Sequence, residues 1–483
     1  MGRGTLYLMV SNGVFALAGY LIHFGLGRYL GPVDYGIFGV VLSLMTIVNT
    51  FFTAGFPQSA SKFIAEDNAK IAGIIKSTNR IILVFSALVF SLYFGLAGVI
   101  ANWFNDSNLT PYIRVSALAI PAYAFYSIYG PGYLNGQRQF GKQAITLFAS
   151  SIVKIIAVLA LVLVGFGVKG AIIGYLIAAM AGFLLAWRFL QPAGKKDVNF
   201  GWKKLVEFGI PATAFSVVFF FLMSIDLFAV KAIGGGEAEV GYYTSAATIS
   251  KVPYFIFVGL AMTLLPSISR SISLNNASLT RDYIQQSIRY MLVLLIPSTV
   301  LISATSTGLL ALVYSSTYIA AATTLSILIF GLASLSVFFV LANIVIGSGR
   351  PQIALGIALP ALGIDIGLNI LLIPRYGLEG AAWATTATGL TCMCAAVVYV
   401  LFRFKTLVSA KSLGKIILAS LVIYIIAFKV SIQPVWLPLI YAGLLALYTA
   451  ILCLLREINK EDLRTFRRIV PLSRFPGIGN SAS

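Results

Sequence analysis

Along the chain, long apolar runs alternate with short polar breaks, and fourteen such runs can be drawn. They cover residues 6–30, 34–59, 78–101, 112–135, 143–166, 169–191, 204–233, 240–268, 287–312, 317–347, 352–374, 377–404, 411–431 and 435–456. A helix crosses a bilayer with about 20 apolar residues. Apolar side chains occupy every face of the runs. The two-residue alternation of a membrane barrel strand is missing, so the pattern predicts helices. The expected fold is all-α and polytopic, with about fourteen transmembrane helices. The first run is too long for a signal peptide and lacks a small-residue cleavage site, so it is expected to remain.

Composition agrees with the pattern. Of 483 residues, 59% are hydrophobic and only 10% charged, too few charges for the surface of a soluble chain this long. Three cysteines exclude a disulfide scaffold.

Charge sets the expected orientation. With a cytoplasmic N-terminus, 26 of the 34 Lys and Arg residues fall on inner segments, six on outer ends, and Lys154 and Lys251 inside spans. That asymmetry is the positive-inside pattern, and it supports an even number of spans. Both termini are then cytoplasmic, and the protein is multi-pass in the plasma (inner) membrane. The net charge of +19 reads as topology and contact with anionic lipid, so no nucleic-acid partner is expected.

Segments about 203–211 residues apart repeat. Ile22-His23-x4-Arg28 in span 1 resembles Ile225-Asp226-x4-Lys231 in span 7. The stretch from Gly31 through Gly36 to Phe38 recurs from Gly236 through Gly241 to Tyr243. Gly167-x-x-Gly170-Ala171 recurs as Gly377-x-x-Gly380-Ala381. Each repeat has six spans, so both halves share one orientation and an axis along the membrane normal. The expected organisation is an N-lobe over 1–200, a C-lobe over 201–410, two added helices over 411–456 and a basic cytoplasmic tail over 457–483.

Leu30-Gly31-Pro32-x-Asp34-Tyr35-Gly36-x-Phe38, followed by Gly55-x-Pro57, resembles the polysaccharide-transporter family. That family belongs to the multidrug/oligosaccharidyl-lipid/polysaccharide exporter superfamily. The resemblance covers essentially the whole chain. It implies a twelve-helix, two-lobe core whose helices 1, 2, 7 and 8 line a central cavity. The two extra helices are similar to those of its flippase branches, which move polyprenyl-diphosphate-linked sugars from the inner to the outer leaflet.

Ionisable groups inside spans are expensive, so each needs a reason. Asp226, Asp365 and Asn369, with Thr385 and Thr386, are expected at one depth, about 10–14 Å below the outer surface at 1.5 Å per residue. They could supply hard oxygen ligands to a small cation, with sodium the natural choice; in the lipid II flippase branch, helices 7, 11 and 12 build such a site. The alternative is that the two acids are separately paired or protonated. Lys251, Arg28, Lys154 and His23 are candidates for an anionic head group. Arg28 could instead be interfacial like its repeat mate Lys231, Lys154 a structural partner, and His23 a hydrogen-bonded packing residue. No resident cofactor is expected beyond a coupling sodium ion or proton. Prolines at Pro211 and Pro253 suggest bends in spans 7 and 8 that would suit a moving gate.

Other signals carry less. Gly136 to Lys142 imitates a phosphate-binding loop but continues with Gln143 and follows no strand. One histidine excludes a multi-histidine metal site and makes a catalytic triad unlikely. The expectation is a non-enzymatic flippase for a polyprenyl-diphosphate-linked oligosaccharide, working by alternating access. Its partners would be that substrate, membrane lipids and other polysaccharide-assembly proteins. A multidrug antiporter of the same superfamily is the main rival. It would need an acid-dominated cavity for cationic substrates. A membrane polymerase or ligase would need a large outer loop, and a scaffold would not need intramembrane charge.

Overall fold

The computed structural model describes residues 3–66, 71–191, 202–234, 236–430 and 433–457. The basic tail over 458–483 and the inter-lobe residues Lys195 and Lys196 lie outside them.

The chain forms α1 (Arg3–Thr53), α2 (Gly55–Glu66), α3 (Ile71–Gly95), α4 (Ala97–Trp103), α5 (Thr110–Ala117), α6 (Ala119–Ser127), α7 (Phe140–Leu161) and α8 (Gly167–Phe189). The second half continues with α9 (Trp202–Leu222), α10 (Ile225–Ile233), α11 (Glu237–Ser250), α12 (Val252–Ser273), α13 (Ala277–Ala304) and α14 (Ser306–Val313). It ends with α15 (Ala322–Gly347), α16 (Pro351–Phe404), α17 (Ala410–Lys429) and α18 (Leu437–Leu454). No strand occurs among the described residues.

Nine of these stretches are long and apolar enough to cross a membrane, and α9 with α10 forms a tenth that bends by 45°. Three of the nine, Val10–Glu66, Phe140–Phe189 and Pro351–Phe404, run 50–57 residues, twice a single crossing. Each folds back at a glycine. Gly31 has φ 76°, Gly167 φ 53° and Gly377 φ 56°. The fourth expected span is broken into α5, α6 and a π-helical stretch at Ile128–Leu134, so no single unbroken helix forms it. With these four additions, the helices account for the fourteen expected spans.

The internal repeat is visible in backbone geometry. Gly167 has φ 53° and ψ −138°, and its mate Gly377 has φ 56° and ψ −132°. An L side chain is strained there, which explains why both turns begin with glycine. The next glycines pack tightly as well. A Cβ on Gly170 would lie 3.1 Å from the Leu161 backbone, and one on Gly380 2.3 Å from the Leu372 carbonyl.

The two halves meet on repeat-related residues. A Cβ on Gly36 would lie 2.7 Å from the amide nitrogen of Gly241, its mate. One on Gly39 would lie 2.4 Å from the hydroxyl oxygen of Thr244, at the same 205-residue offset. The second half of α1 and α11 therefore cross at backbone contact, on the pseudo-two-fold. Helices α17 and α18 sit apart on α13. There Leu301, Ile416, Ile423, Leu444 and Leu452 form a separate apolar cluster.

Candidate functional site

Of the two bends in the spans lining the interior, the one in span 7 falls well beyond Pro211 and the one in span 8 falls just before Pro253. α9 ends at Leu222, and Ser224 (φ −142°) breaks the helix before α10. Pro211 lies within α9. In the next span the break is at Lys251, which caps α11 and precedes α12, where Pro253 lacks an N–H to continue the ladder. Both breaks leave polar residues on the interior wall.

That wall encloses a cavity of about 440 Å³ between the two halves. Lys251, Lys154 and His23, expected to face a head group, all line it. Lys154 comes from α7 and is 5% exposed, its Nζ 4.1 Å from the Phe15 ring centroid and 5.4 Å from that of Tyr175. No acidic side chain lines the cavity among the described residues. Asp226 is set behind the wall, next to the lining residue Leu227. Phe15 and Phe255 line the cavity yet are 39% and 45% exposed. They mark where it approaches the side of the bundle, between α1 and α12.

His23 fits both of its readings, since it lines the cavity and is hydrogen-bonded. Its Nδ1 lies 2.9 Å from the Tyr35 hydroxyl. Tyr35 continues at 2.9 Å to Tyr314 and at 3.4 Å to Thr248. This chain of rings closes the cavity towards Arg28.

Arg28 is a correction. It is exposed and outside the cavity lining. Its Nε donates to the Val313 carbonyl at 2.9 Å, and Nη2 donates to the Leu312 carbonyl. These are the last carbonyls of α14, a helix end that favours a cation. Arg28 therefore straps one half to the other. Tyr318 donates to the Gly27 carbonyl at 2.7 Å, and Lys231 pairs with Asp106 at 2.7 Å, at the same end. The opposite end is tied too. Ser59 donates to the Leu205 carbonyl at 2.9 Å, and the Gly55 amide donates to the Thr213 hydroxyl at 3.1 Å. Hydrogen bonds therefore tie the two halves together at both ends of the cavity.

The polar residues expected on α10 and α16 lie on helices that pack together, with one exception. Asp226 lies in the first turn of α10 and accepts from Tyr243 at 2.6 Å, from the Leu227 amide at 2.7 Å and from Thr385 at 3.2 Å. Asp365 accepts from the Asn369 amide at 3.1 Å, on the same helix, α16, that brings Thr385 to Asp226. Asp365 Oδ2 and Asn369 Oδ1 are buried with no hydrogen-bond partner. Two orphaned acceptors beside a second carboxylate fit a small hard cation. Thr386 is the exception. Its hydroxyl donates to the Ile327 and Ala382 carbonyls and serves the packing of α15 on α16.

Three contributors escaped the reading of the sequence. Tyr243 and Tyr35 look like ordinary apolar-face aromatics along the chain. Asn49 sits in a polar stripe at Thr46, Asn49, Thr50 and Thr53, whose helical spacing was the available signal.

The chain is similar to known proteins over most of its length. Residues 1–272 match the family described as polysaccharide biosynthesis protein, and residues 211–371 match the MatE family. The probable low-salt glycan biosynthesis flippase Agl15 of Haloferax volcanii is 22% identical over 505 aligned residues, 98% of this chain and 100% of that protein. Lipid II flippase MurJ of Bacillus subtilis is 23% identical, with 79% of each chain covered. The solved lipid II flippase MurJ in an inward closed conformation superposes with a TM-score of 0.75 at 17% identity. It covers 97% of this chain and 100% of that one. With the matched family spanning more than half its length, the chain belongs to the polysaccharide biosynthesis protein family of the multidrug/oligosaccharidyl-lipid/polysaccharide exporter superfamily.

Proposed function

We propose that this protein flips a polyprenyl-diphosphate-linked oligosaccharide from the inner to the outer leaflet by alternating access. The observation that carries the reading is the pair Lys154 and Lys251. They come from the two halves of the molecule and line one cavity with no acidic side chain in its described lining. A diphosphate needs fixed positive charge where water is scarce, and two lysines supply it as point charges. A cationic drug would find repulsion there, which counts against the antiporter reading.

In this mechanism the head group sits between the lysines while the lipid tail leaves between α1 and α12, past Phe15 and Phe255. The strapped end bearing Arg28 faces outward, as the positive-inside pattern expects. An inside-negative potential favours moving negative head-group charge outward, by about 2.3 kcal/mol per charge per 100 mV. A sodium ion or proton taken up at Asp226, Asp365, Asn369 and Thr385 would return inward to reset the carrier.

The test is flipping of a fluorescent lipid-diphosphate sugar in proteoliposomes, with and without a sodium or proton gradient. Lys251→Ala and Lys154→Ala are expected to abolish it at normal protein level. Asp226→Asn with Asp365→Asn should remove the ion dependence. Full flipping by either lysine variant would overturn the substrate reading. Gradient-independent flipping, unchanged in the double Asn variant, would overturn the coupling.

A further inference from the structure

Asp226 has more donors around it than a site waiting for a cation needs. It is 1% exposed, and protein groups already surround its carboxylate. Oδ1 accepts from the Leu227 amide, and Oδ2 accepts from both the Tyr243 and the Thr385 hydroxyls. A carboxylate oxygen offers about two lone-pair positions, so Oδ2 is full. Asp365 Oδ2 and Asn369 Oδ1 are the opposite, buried with no partner. With the Arg28 end of the molecule tied, Asp226 is thus satisfied without a cation, and its shortest bond from a side chain comes from Tyr243 at 2.6 Å. A cation on Oδ2 and the Tyr243 hydrogen seek the same lone pairs.

The place of Tyr243 decides when it can donate. Its helix, α11, meets α1 at backbone contact two residues earlier, where a Cβ on Gly241 would lie 1.8 Å from the Pro32 carbonyl oxygen. The next residue, Thr244, packs on Gly39, and Thr248 reaches Tyr35 at 3.4 Å. Asp226 stands on α10, directly after the break at Ser224, and Lys231 pins α10 to Asp106 of the other half. The Tyr243–Asp226 bond therefore joins two helices that are each held against the N-lobe at the strapped end. Packed interfaces switch between discrete arrangements rather than stretch, so parting the halves there frees both helices.

The internal repeat isolates the hydroxyl. The mates of Asp226 and Tyr243 are His23 and Phe38, whose ring centroids lie 5.6 Å apart. The fold makes the same contact in both halves, and in the N-lobe a phenylalanine fills it. The C-lobe adds a hydroxyl and a carboxylate to that shared packing.

We propose that the Tyr243 hydroxyl is a built-in competitor of sodium for Asp226, so that the site binds sodium weakly while the strapped end is closed and tightly once it opens. The inference rests on the ion-coupling reading above and names the residue that would make that site change its affinity. Opening draws Tyr243 off Asp226 and leaves Oδ2 free for a cation from outside. Closing returns the hydroxyl to Oδ2 and displaces the cation. By linkage, opening of this end and loading with sodium favour one another by the same factor.

The experiment measures binding of radioactive sodium to the full chain in nanodiscs. Tyr243→Phe removes the competing hydroxyl and keeps the ring, a side chain that the mate position already accepts. It is expected to bind sodium about tenfold tighter than the wild type, the scale of one hydrogen bond to a charged group. A packing role alone predicts equal affinity, and a role as a direct sodium ligand predicts weaker binding; either result would overturn the proposal. A second measurement leaves Tyr243 in place and so does not depend on how the variant folds. Spin labels at Trp103→Cys and Glu237→Cys, with Cys392, Cys394 and Cys453 replaced by Ser, report the strapped end. Sodium in place of choline should move the distance distribution towards the longer value. A shift to the shorter value, or none in a protein that binds sodium, would also overturn the proposal. Absence of sodium binding by both the wild type and Tyr243→Phe would instead refute the sodium coupling beneath it.

Discussion

The ion pair between Lys231 and Asp106 can be removed without touching the cavity. Lys231 ends α10, and Asp106 lies in the turn after α4, so the pair joins the two halves at the strapped end. The side chains are 10% and 16% exposed, and Nζ lies 2.7 Å from Oδ2. At an effective dielectric constant of about 20, opposite charges about 4 Å apart attract by about 4 kcal/mol. Desolvation offsets much of this, and removing one partner of a fully buried pair costs about 3–5 kcal/mol. For a pair that keeps some water contact, about 2 kcal/mol is a reasonable net loss. The pair bridges the halves only when this end is closed, so the loss falls on the closed state. A change of about 2 kcal/mol moves the closed-to-open equilibrium by about thirtyfold. The assay is pulsed electron–electron distance measurement in nanodiscs. Spin labels go on Trp103→Cys and Glu237→Cys, with Cys392, Cys394 and Cys453 replaced by Ser. Lys231→Met should shift the distribution towards the longer distance, and exchanging the charges, Lys231→Asp with Asp106→Lys, should bring much of it back. A distribution that ignores Lys231→Met would refute the reasoning.

The remaining predictions concern the lobe contact and the C-terminal clasp. A Cβ on Gly241 would sit 1.8 Å from the Pro32 carbonyl oxygen, far inside contact distance. Gly241→Ala should therefore force α1 and α11 apart and open the strapped end in the same distance assay; an unchanged distribution would show that this crossing is not rigid. Glu457 follows α18 and binds Arg289 at 2.9 Å and Lys415 at 3.4 Å, and it accepts from Ser412. Burial pushes its carboxyl up, but the hydrogen bonds and the Arg289 charge outweigh that and hold it below the usual range. A depressed folded value stabilises the clasp above the unfolded value of about 4.3 and loses that stabilisation as pH falls through the folded value. Glu457→Gln should lower the melting temperature near neutral pH by the equivalent of about 2 kcal/mol, and the deficit should close as the medium is acidified below the unfolded value. A deficit that stays constant with pH would rule out this charge-based account.

Much of the architecture was legible along the chain. Fourteen spans could be counted because each must be apolar on all faces over a bilayer's thickness, and that constraint is written residue by residue. The repeat was legible because the same strained turn recurs. Gly167 and Gly377 stand where a positive φ excludes other residues, and Gly36 and Gly241 where a Cβ cannot enter. The intramembrane charges were legible because they are rare. Arg28 was misplaced, since a residue near a span end can point into a cavity or over a neighbouring helix end. Only the position of α14 decides between those. Thr386 was misplaced because adjacent threonines face different neighbours, Thr385 towards Asp226 and Thr386 towards Ile327.

By itself, then, the sequence determined the class of the molecule, its span count, its internal duplication and the short set of charges that the membrane makes costly. Those are properties of single residues or of their spacing, and the bilayer acts on them locally. The tertiary structure decided which of the charges meet. It set Lys154 and Lys251 in the lining of one cavity, brought Asp226 to Thr385 across 159 positions of chain, and turned Arg28 away to cap α14. It also placed Tyr243 against Asp226 and left the Asn49 oxygen buried without a donor. These are pairwise facts about helices that touch only after folding, and hydrophobic periodicity carries no information about which face of one span meets which face of another.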